Sequence, residues 1–595
     1  MTREAQRKIG QPVNRAGLLG RAGILRVAMA VVALGTMGPL CWHDFLLTWD
    51  DAPTIARNEH FNPPTLGGIG YYWGHSNMGL YVPVTYTAWG GLAYVARVDQ
   101  PDETGVSLNP WVYHAANVVV HVVNSLLVLE ILGVLMGVGW GAAVGAMVFA
   151  VHPVQVEAVA WAAGMKDLLC GMFSLVAVWQ YLVGVQNAEC RMQNEGGGDG
   201  WRLGVAAGAM VVGQLCKPTA MVVPLVAAAI DGWVIGRPWR KVIVSAGVLL
   251  VVAVPGMVVA RWIQRATSIS IVPVWQRVFV AGDALAFYLW KVVWPAGLAL
   301  DYGRRPRWVM GHWWGYVTWV APAAVAVVLW AGRRRWRWLV GAWVVLVAGV
   351  LPVLGLSPFL FQHYSTVTDH YLYLSMLGVA MAAAWGAEAL RRWSPRGAGV
   401  VCGVVVGVLG GRAMVEGAYW TNDLTVWRRN LEVNPRSFAA ENNLGMALQM
   451  AGDVLVNRGQ RAAALELYRE AEGHFRRADG LLPGFSLAKQ NVAMALAKQG
   501  RVEESITMIE ESVRTAEGSE VPPDMRANYD EALVTLGQVQ MNRGKYGEAK
   551  RYFEEALRKR PGWEAAERGV KDAEAKMRGA ATRGGATGPA NGLRP

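Results

Sequence analysis

VAMAVVALGTMGPLCW (residues 27–42) running into HDFLLTWDDAP (residues 43–53) decides what kind of chain this is. Sixteen residues pass without a charge, and then Asp44, Asp50 and Asp51 fall within eight positions. The apolar run reads as a first membrane helix, which places the carboxylates at the level of lipid head groups. Two adjacent ionised carboxylates repel each other, so such pairs are usually kept for a metal, a proton transfer or a strong donor. An Asx-capped, solvated turn is the plainer alternative.

Composition supports the membrane reading. The 595 residues are 53% hydrophobic and only 17% charged, with mean hydropathy +0.24. Soluble domains carry about 25% charged residues. Charges are sparse up to about residue 420 and dense and mixed in sign beyond it, which predicts one part in lipid and one in water. The net charge of +12 lies largely in short Arg/Lys clusters between apolar runs, read as positive-inside anchors rather than a nucleic-acid surface. The 28 tryptophans fit an interfacial belt. Five cysteines show no metal or redox spacing, and no disulfide framework is expected.

Residues 1–26 hold six Lys/Arg against one Glu and read as a cytoplasmic tail before an uncleaved helix. Residues 43–109 form a large first outer loop; within it 82–98 is apolar but short for a span. Residues 111–129 carry His114, Asn117, His121 and Asn124 at spacings that align them on one helix face. In a bilayer that stripe must face other helices, as a packing seam, or a cavity, as a site. Further apolar runs fall at 139–151, 168–185, 203–216, 218–235, 242–260, 278–294, 313–332, 338–362, 370–387 and 397–415. The clusters at Arg237/Arg240/Lys241, Arg333/Arg334/Arg335/Arg337 and Arg391/Arg392/Arg396 share the side of the N-terminus only if 278–294 does not cross. That segment contains Asp283 and Lys291, so about 11 spans are expected, with about 12 as the alternative.

From about residue 420 the period changes. Leu536-Gly537, Gly544, Tyr546, Ala549, Phe553, Ala556 and Pro561 follow tetratricopeptide (TPR) spacing. An upstream unit keeps Leu444-Gly445, Ala471, Phe475, Ala478 and Pro483 around an insertion near Gly452–Arg461, and a degenerate unit keeps Gly500. Trp427 and Pro435 look like the last half of another repeat. The expected division is a basic tail 1–26, a polytopic membrane domain 27–417, a TPR α-solenoid 418–578 and a disordered tail 579–595.

The ordered set resembles the GT-C membrane glycosyltransferases, in particular the transmembrane-plus-TPR type related to O-mannosyltransferases. The resemblance rests on Trp49-Asp50-Asp51 with Asn58, Tyr81-Val82-Pro83, the His114/Asn117/His121/Asn124 stripe and His152-Pro153…Glu157-Ala158-Val159. It continues through Lys166-Asp167-Leu168-Leu169, Lys217-Pro218, Asp301-Tyr302 and Asp369-His370-Tyr371-Leu372-Tyr373-Leu374. It implies an all-α polytopic enzyme that moves a sugar, mannose or similar, from a polyprenyl-phosphate donor to a protein hydroxyl on the outer face. The TPR groove would recruit the acceptor protein or peptide from that same side. In a bacterium the membrane would be the inner, plasma membrane.

Carried over, Asp50 and Asp51 are the catalytic pair, one as base and one orienting the donor or a divalent metal (Mg or Mn), in an order the sequence leaves open. His152, Glu157, Lys166, Asp167, Lys217, Arg261, Asp369, His370 and Tyr371 are the implied substrate-binding set. Two positions depart from the family pattern: His370 stands where Arg is expected, and Met165 replaces an Arg before Lys166-Asp167. Arg grips phosphate bidentately at any pH and neutral His does not. An inactive, membrane-anchored TPR scaffold is therefore the alternative reading. A transporter fits less well, since no inverted repeat is visible.

Overall fold

The computed structural model describes residues 15–192, 200–264, 272–483, 486–516 and 529–584. The expected basic tail lies outside these up to residue 14, as do residues 585–595. Among the described residues every regular element is helical, with three isolated bridges and no strand. The chain divides into two compact units, Met1–Asn434 and Pro435–Pro595.

In the first unit, seven helices among the described residues are long and apolar enough to cross a membrane: Ala22–Trp42, Pro110–Met136, Ala162–Ala188, Pro218–Ile235, Trp239–Ile263, Trp313–Ala331 and Pro395–Ala418. An eighth is formed if Trp140–Val151 and Pro153–Ala160, bent by 50° at His152, count as one broken span. The three remaining expected spans are also helices. Gly200–Cys216 and Arg337–Val350 are short, and Met376–Trp393 carries Glu388, Arg391 and Arg392 in its second half. The segment held back from the membrane count, Arg277–Val293, buries its two interior charged residues: Asp283 pairs with Arg304 and Lys291 donates to the carbonyls of Ala296 and Gly297 at 2.7 Å each.

The bend at His152 follows from Pro153, which has no N–H to continue the ladder. Breaking a helix inside an apolar bundle strands backbone carbonyls, each of which must find a donor. Gln155 donates to the carbonyl of Phe149 (3.3 Å), and the polar stripe of Pro110–Met136 serves further carbonyls around the bend. Asn117 donates to the carbonyls of Trp161 and Val159 (2.8 and 3.3 Å), Asn124 to that of Leu168 (3.0 Å), and His121 bonds the carbonyl of Ala150 (2.9 Å). The Tyr373 hydroxyl ties His121 and Asn124 together at 2.9 Å each. The stripe is thus a packing seam around a broken helix rather than a cavity lining.

Helix Asp423–Val433, expected as half a TPR repeat, packs instead within the first unit. Trp427 is fully buried there, and its indole donates to Thr48 at 2.7 Å.

The second unit is a stack of helical hairpins: Phe438–Asn457 with Arg461–Leu481, Ser486–Lys498 with Val502–Ala516, and Tyr529–Asn542 with Tyr546–Lys559, followed by Glu564–Gly584. The expected insertion is not a loop; it lengthens both helices of the first hairpin, where Gly452 packs on Tyr468. Each hairpin turns through a glycine at positive φ (Gly459, Gly500, Gly544). The tail expected to be disordered from 579 is helical as far as Gly584.

Two outcomes are expected. Replacing Asn117 with Leu leaves carbonyls at the broken helix without donors and lowers stability by about 1–3 kcal/mol, read from thermal unfolding of the detergent-solubilised chain. A Cβ at Gly537 would stand 2.6 Å from the buried Phe553 ring, so Gly537→Val opens the second unit to limited proteolysis while leaving the first intact.

Candidate functional site

The loop after the first helix is shaped by two acids, neither of them Asp50. Asp51 is fully buried, and its two carboxylate oxygens accept backbone N–H groups from Leu46 (2.9 Å) and Ala163 (2.8 Å). Burial pushes its carboxyl up to about 7, while those two N–H bonds pull the other way. From the far end of the unit, Asp423 accepts the N–H groups of Leu47 (2.9 Å) and Thr48 (3.2 Å) and the Thr48 hydroxyl. Trp49 then lies edge-on between Tyr364 and Trp427, with centroids 5.4 Å from each. Asn58 closes the loop by exchanging hydrogen bonds with Tyr72.

Asp50 is what this frame presents. It is partly exposed, and its Oδ2 meets Lys166 Nζ at 3.2 Å. The Lys166 ammonium sits 4.2 Å above the Trp161 ring, which lies 5.6 Å from the His370 ring. Next to Lys166, Asp167 accepts from Lys217 Nζ at 2.6 Å. Lys217 in turn stands 5.1 Å from the centre of the Tyr371 ring. Asp167, Lys217, His370 and Tyr371 line one cavity together with Cys170, Thr219 and Tyr373. The adjacent acids of the sequence therefore separate: Asp51 builds the loop, and Asp50 faces outward from it beside a cation.

Of the other expected substrate-binding residues, Glu157 is near but engaged. It accepts from the Thr368 hydroxyl (2.7 and 2.9 Å), from His370 N–H (3.0 Å) and from His370 Nδ1 (2.7 Å). His152 caps the bend, with Nε2 against the carbonyl of Val292 (3.0 Å) and Nδ1 accepting from Val154 N–H (3.4 Å). Asp369 accepts from Tyr302 at 2.9 and 2.8 Å and does not line the cavity. Arg261 is exposed at the end of helix Trp239–Gln264 and is not part of the cluster. Asp423 and Thr368 carry no signal in the sequence, and Trp427 reads there as part of a repeat; a lone Asp some 370 residues from its partner loop has no local pattern.

Asp51 has both oxygens engaged, and among the described residues no group of three or more His, Cys, Asp or Glu side chains converges, so the protein alone forms no metal cage.

Fold and site together define an all-helical, multi-pass integral membrane protein with a C-terminal TPR array and a buried acid–base cluster beside its first loop. Its relatives are in keeping with that class. The tetratricopeptide repeat family matches residues 530–563. The chain is similar to protein O-mannosyl-transferase TMTC4 of mouse, 23% identical over 513 residues, covering 74% of this chain and 66% of that protein. It is 22% identical to human TMTC4 over 526 residues (75% and 66%), and 28% identical to Drosophila Tmtc2 over 212 residues (33% and 22%). The match thus spans just under two thirds of the TMTC4 proteins' own length. Among solved structures, ArnT from Cupriavidus metallidurans bound to undecaprenyl phosphate aligns at TM-score 0.34 and 13% identity, over 82% of this chain and 80% of that one.

The two acids should respond differently to the same change. Asp51→Asn leaves a buried backbone N–H facing an amide NH₂ and destabilises by about 1–3 kcal/mol, whereas Asp50→Asn leaves the thermal unfolding midpoint in detergent nearly unchanged.

Proposed function

We propose that the protein is a membrane glycosyltransferase that moves a sugar, mannose or similar, from a polyprenyl-phosphate donor to a hydroxyl of an acceptor protein. The observation that carries this is Asp50, a partly exposed carboxylate on a rigid loop, paired with Lys166 beside a cavity holding Lys217. The likeness to proteins named O-mannosyl-transferases, across 74% of the chain, supports it.

In this reading the acceptor oxygen bonds to the anomeric carbon of the sugar as its proton passes to Asp50. The bond from that carbon to the phosphate oxygen breaks, and the lipid phosphate leaves with added negative charge. Lys166 and Lys217 are the cations placed to meet it. No step is routed through a metal. The TPR array recruits the acceptor and shares the outer side of the membrane with Asp50, while the N-terminus is cytoplasmic.

Asp50→Asn should reduce sugar transfer from lipid-linked donor in proteoliposomes by about 100-fold or more, with the protein still folded. Full activity in that variant would overturn the enzyme reading and leave a membrane-anchored TPR scaffold, the role to which the His370 departure points.

A further inference from the structure

The span Pro218–Ile235 starts beside Lys217 and ends at Gly236, so the groups around Gly236 lie at the opposite membrane face from Asp50. Its last turn, Ile230–Ile235, is a π-helix closed by Gly236 at φ 87°, whose N–H bonds the Asp231 carbonyl at 2.8 Å. Arg237 folds back onto that turn and donates to the buried Asp231 carboxylate at 3.0 Å. A second loop, between helices Val320–Ala331 and Arg337–Val350, meets the first here. Arg337 donates to the carbonyl of Gly232 at 3.1 Å, and its guanidinium lies against Gly236, 2.9 Å from where a Cβ would stand. Arg333 sits 4.7 Å over the Trp330 ring. Trp233 packs edge-on against Trp330 and Trp239, 6.0 Å from each, and those two indoles are exposed.

Loop 236–241 carries three cations and loop 332–337 four, with no Asp or Glu in either. Asp231 pairs with Arg237; Arg240, Lys241, Arg333, Arg334, Arg335 and Arg337 form no ion pair among the described residues. A preference for basic residues at one membrane face accounts for the sign of these charges. It does not account for the seat, in which one guanidinium is held on a helix-end carbonyl and another on an indole where two loops meet. Like charges gathered in this way repel one another, and an anion relieves the repulsion.

We propose that the two loops form a binding site for the headgroup of an anionic phospholipid in the leaflet opposite Asp50. Arg337 offers N–H groups of its planar fork to the phosphodiester, and the other cations supply the attracting field. A lipid, rather than free phosphate, is the occupant because apolar surface adjoins the cations. Trp239 and Trp330 are exposed at the level of the glycerol backbone, and Val327 and Val328 are exposed on the flanking helix to meet acyl chains. The site stands independently of the transferase reading.

The test titrates the full-length chain in detergent with dioleoyl phosphatidylglycerol or dioleoyl phosphatidylcholine and counts bound lipid by native mass spectrometry. Phosphatidylglycerol should bind about tenfold more tightly. Arg333→Gln/Arg337→Gln should bring that ratio toward one, and Arg337→Lys, which keeps the charge but loses the fork, should give an intermediate ratio. Arg334→Gln/Arg335→Gln, a change at two exposed side chains that leaves the fold intact, should also lower it severalfold. Arg392→Gln/Arg396→Gln removes the same charge at the end of helix Met376–Trp393 away from Tyr371 and should leave the ratio unchanged. An equal loss in that control would overturn the site, showing only the general attraction of a basic face. An unchanged ratio in both loop double variants would overturn it as well. Inorganic phosphate that displaces phosphatidylglycerol at equal concentration would overturn the lipid as occupant.

Discussion

A helix broken inside an apolar bundle must have its stranded carbonyls satisfied, and the rest of the membrane unit is arranged around that requirement. Pro153 opens the ladder, and Gln155 within the bend with Asn117 and His121 on the neighbouring helix close it again. With its backbone held, the turn past the bend can carry Glu157, Trp161, Lys166 and Asp167 at fixed positions inside the bundle. Without those donors the charged residues would sit on a segment with no reason to keep one conformation.

The same logic applies to the acids. A buried carboxylate is tolerated when its oxygens are matched by donors. Asp51, Asp423 and Glu157 are matched by backbone N–H groups, hydroxyls or an imidazole, and each of them builds structure. Asp50 and Asp167 each face a lysine and keep capacity in reserve, which is the property a reacting or ligand-holding group needs. Sorting the acids by what already satisfies them separates scaffold from candidate chemistry more sharply than their spacing in the sequence does.

Much of this was legible beforehand. The charge-free runs, the basic clusters and the TPR spacing identified a polytopic helical unit followed by hairpin repeats, because hydrophobic period and glycine placement are local properties of the chain. Asp167, Lys217, His370 and Tyr371, picked out individually, do meet at one cavity, and Lys166 pairs with Asp50 beside it. His152, Asp369 and Arg261, picked out on the same grounds, do not. Trp427 was read as part of a repeat because its spacing suited one, but its indole is claimed by Thr48.

The sequence by itself determined the helical class, the division between lipid-bound and water-exposed parts, and the residue types available for chemistry. These follow from composition and periodicity, which need no knowledge of contacts. Only the tertiary structure decided which of two neighbouring aspartates is buried in backbone N–H groups and which is open. It alone decided that the carboxylate at 157 hydrogen-bonds the imidazole at 370. Those outcomes depend on partners more than a hundred residues away, and no local pattern encodes where such partners come to rest.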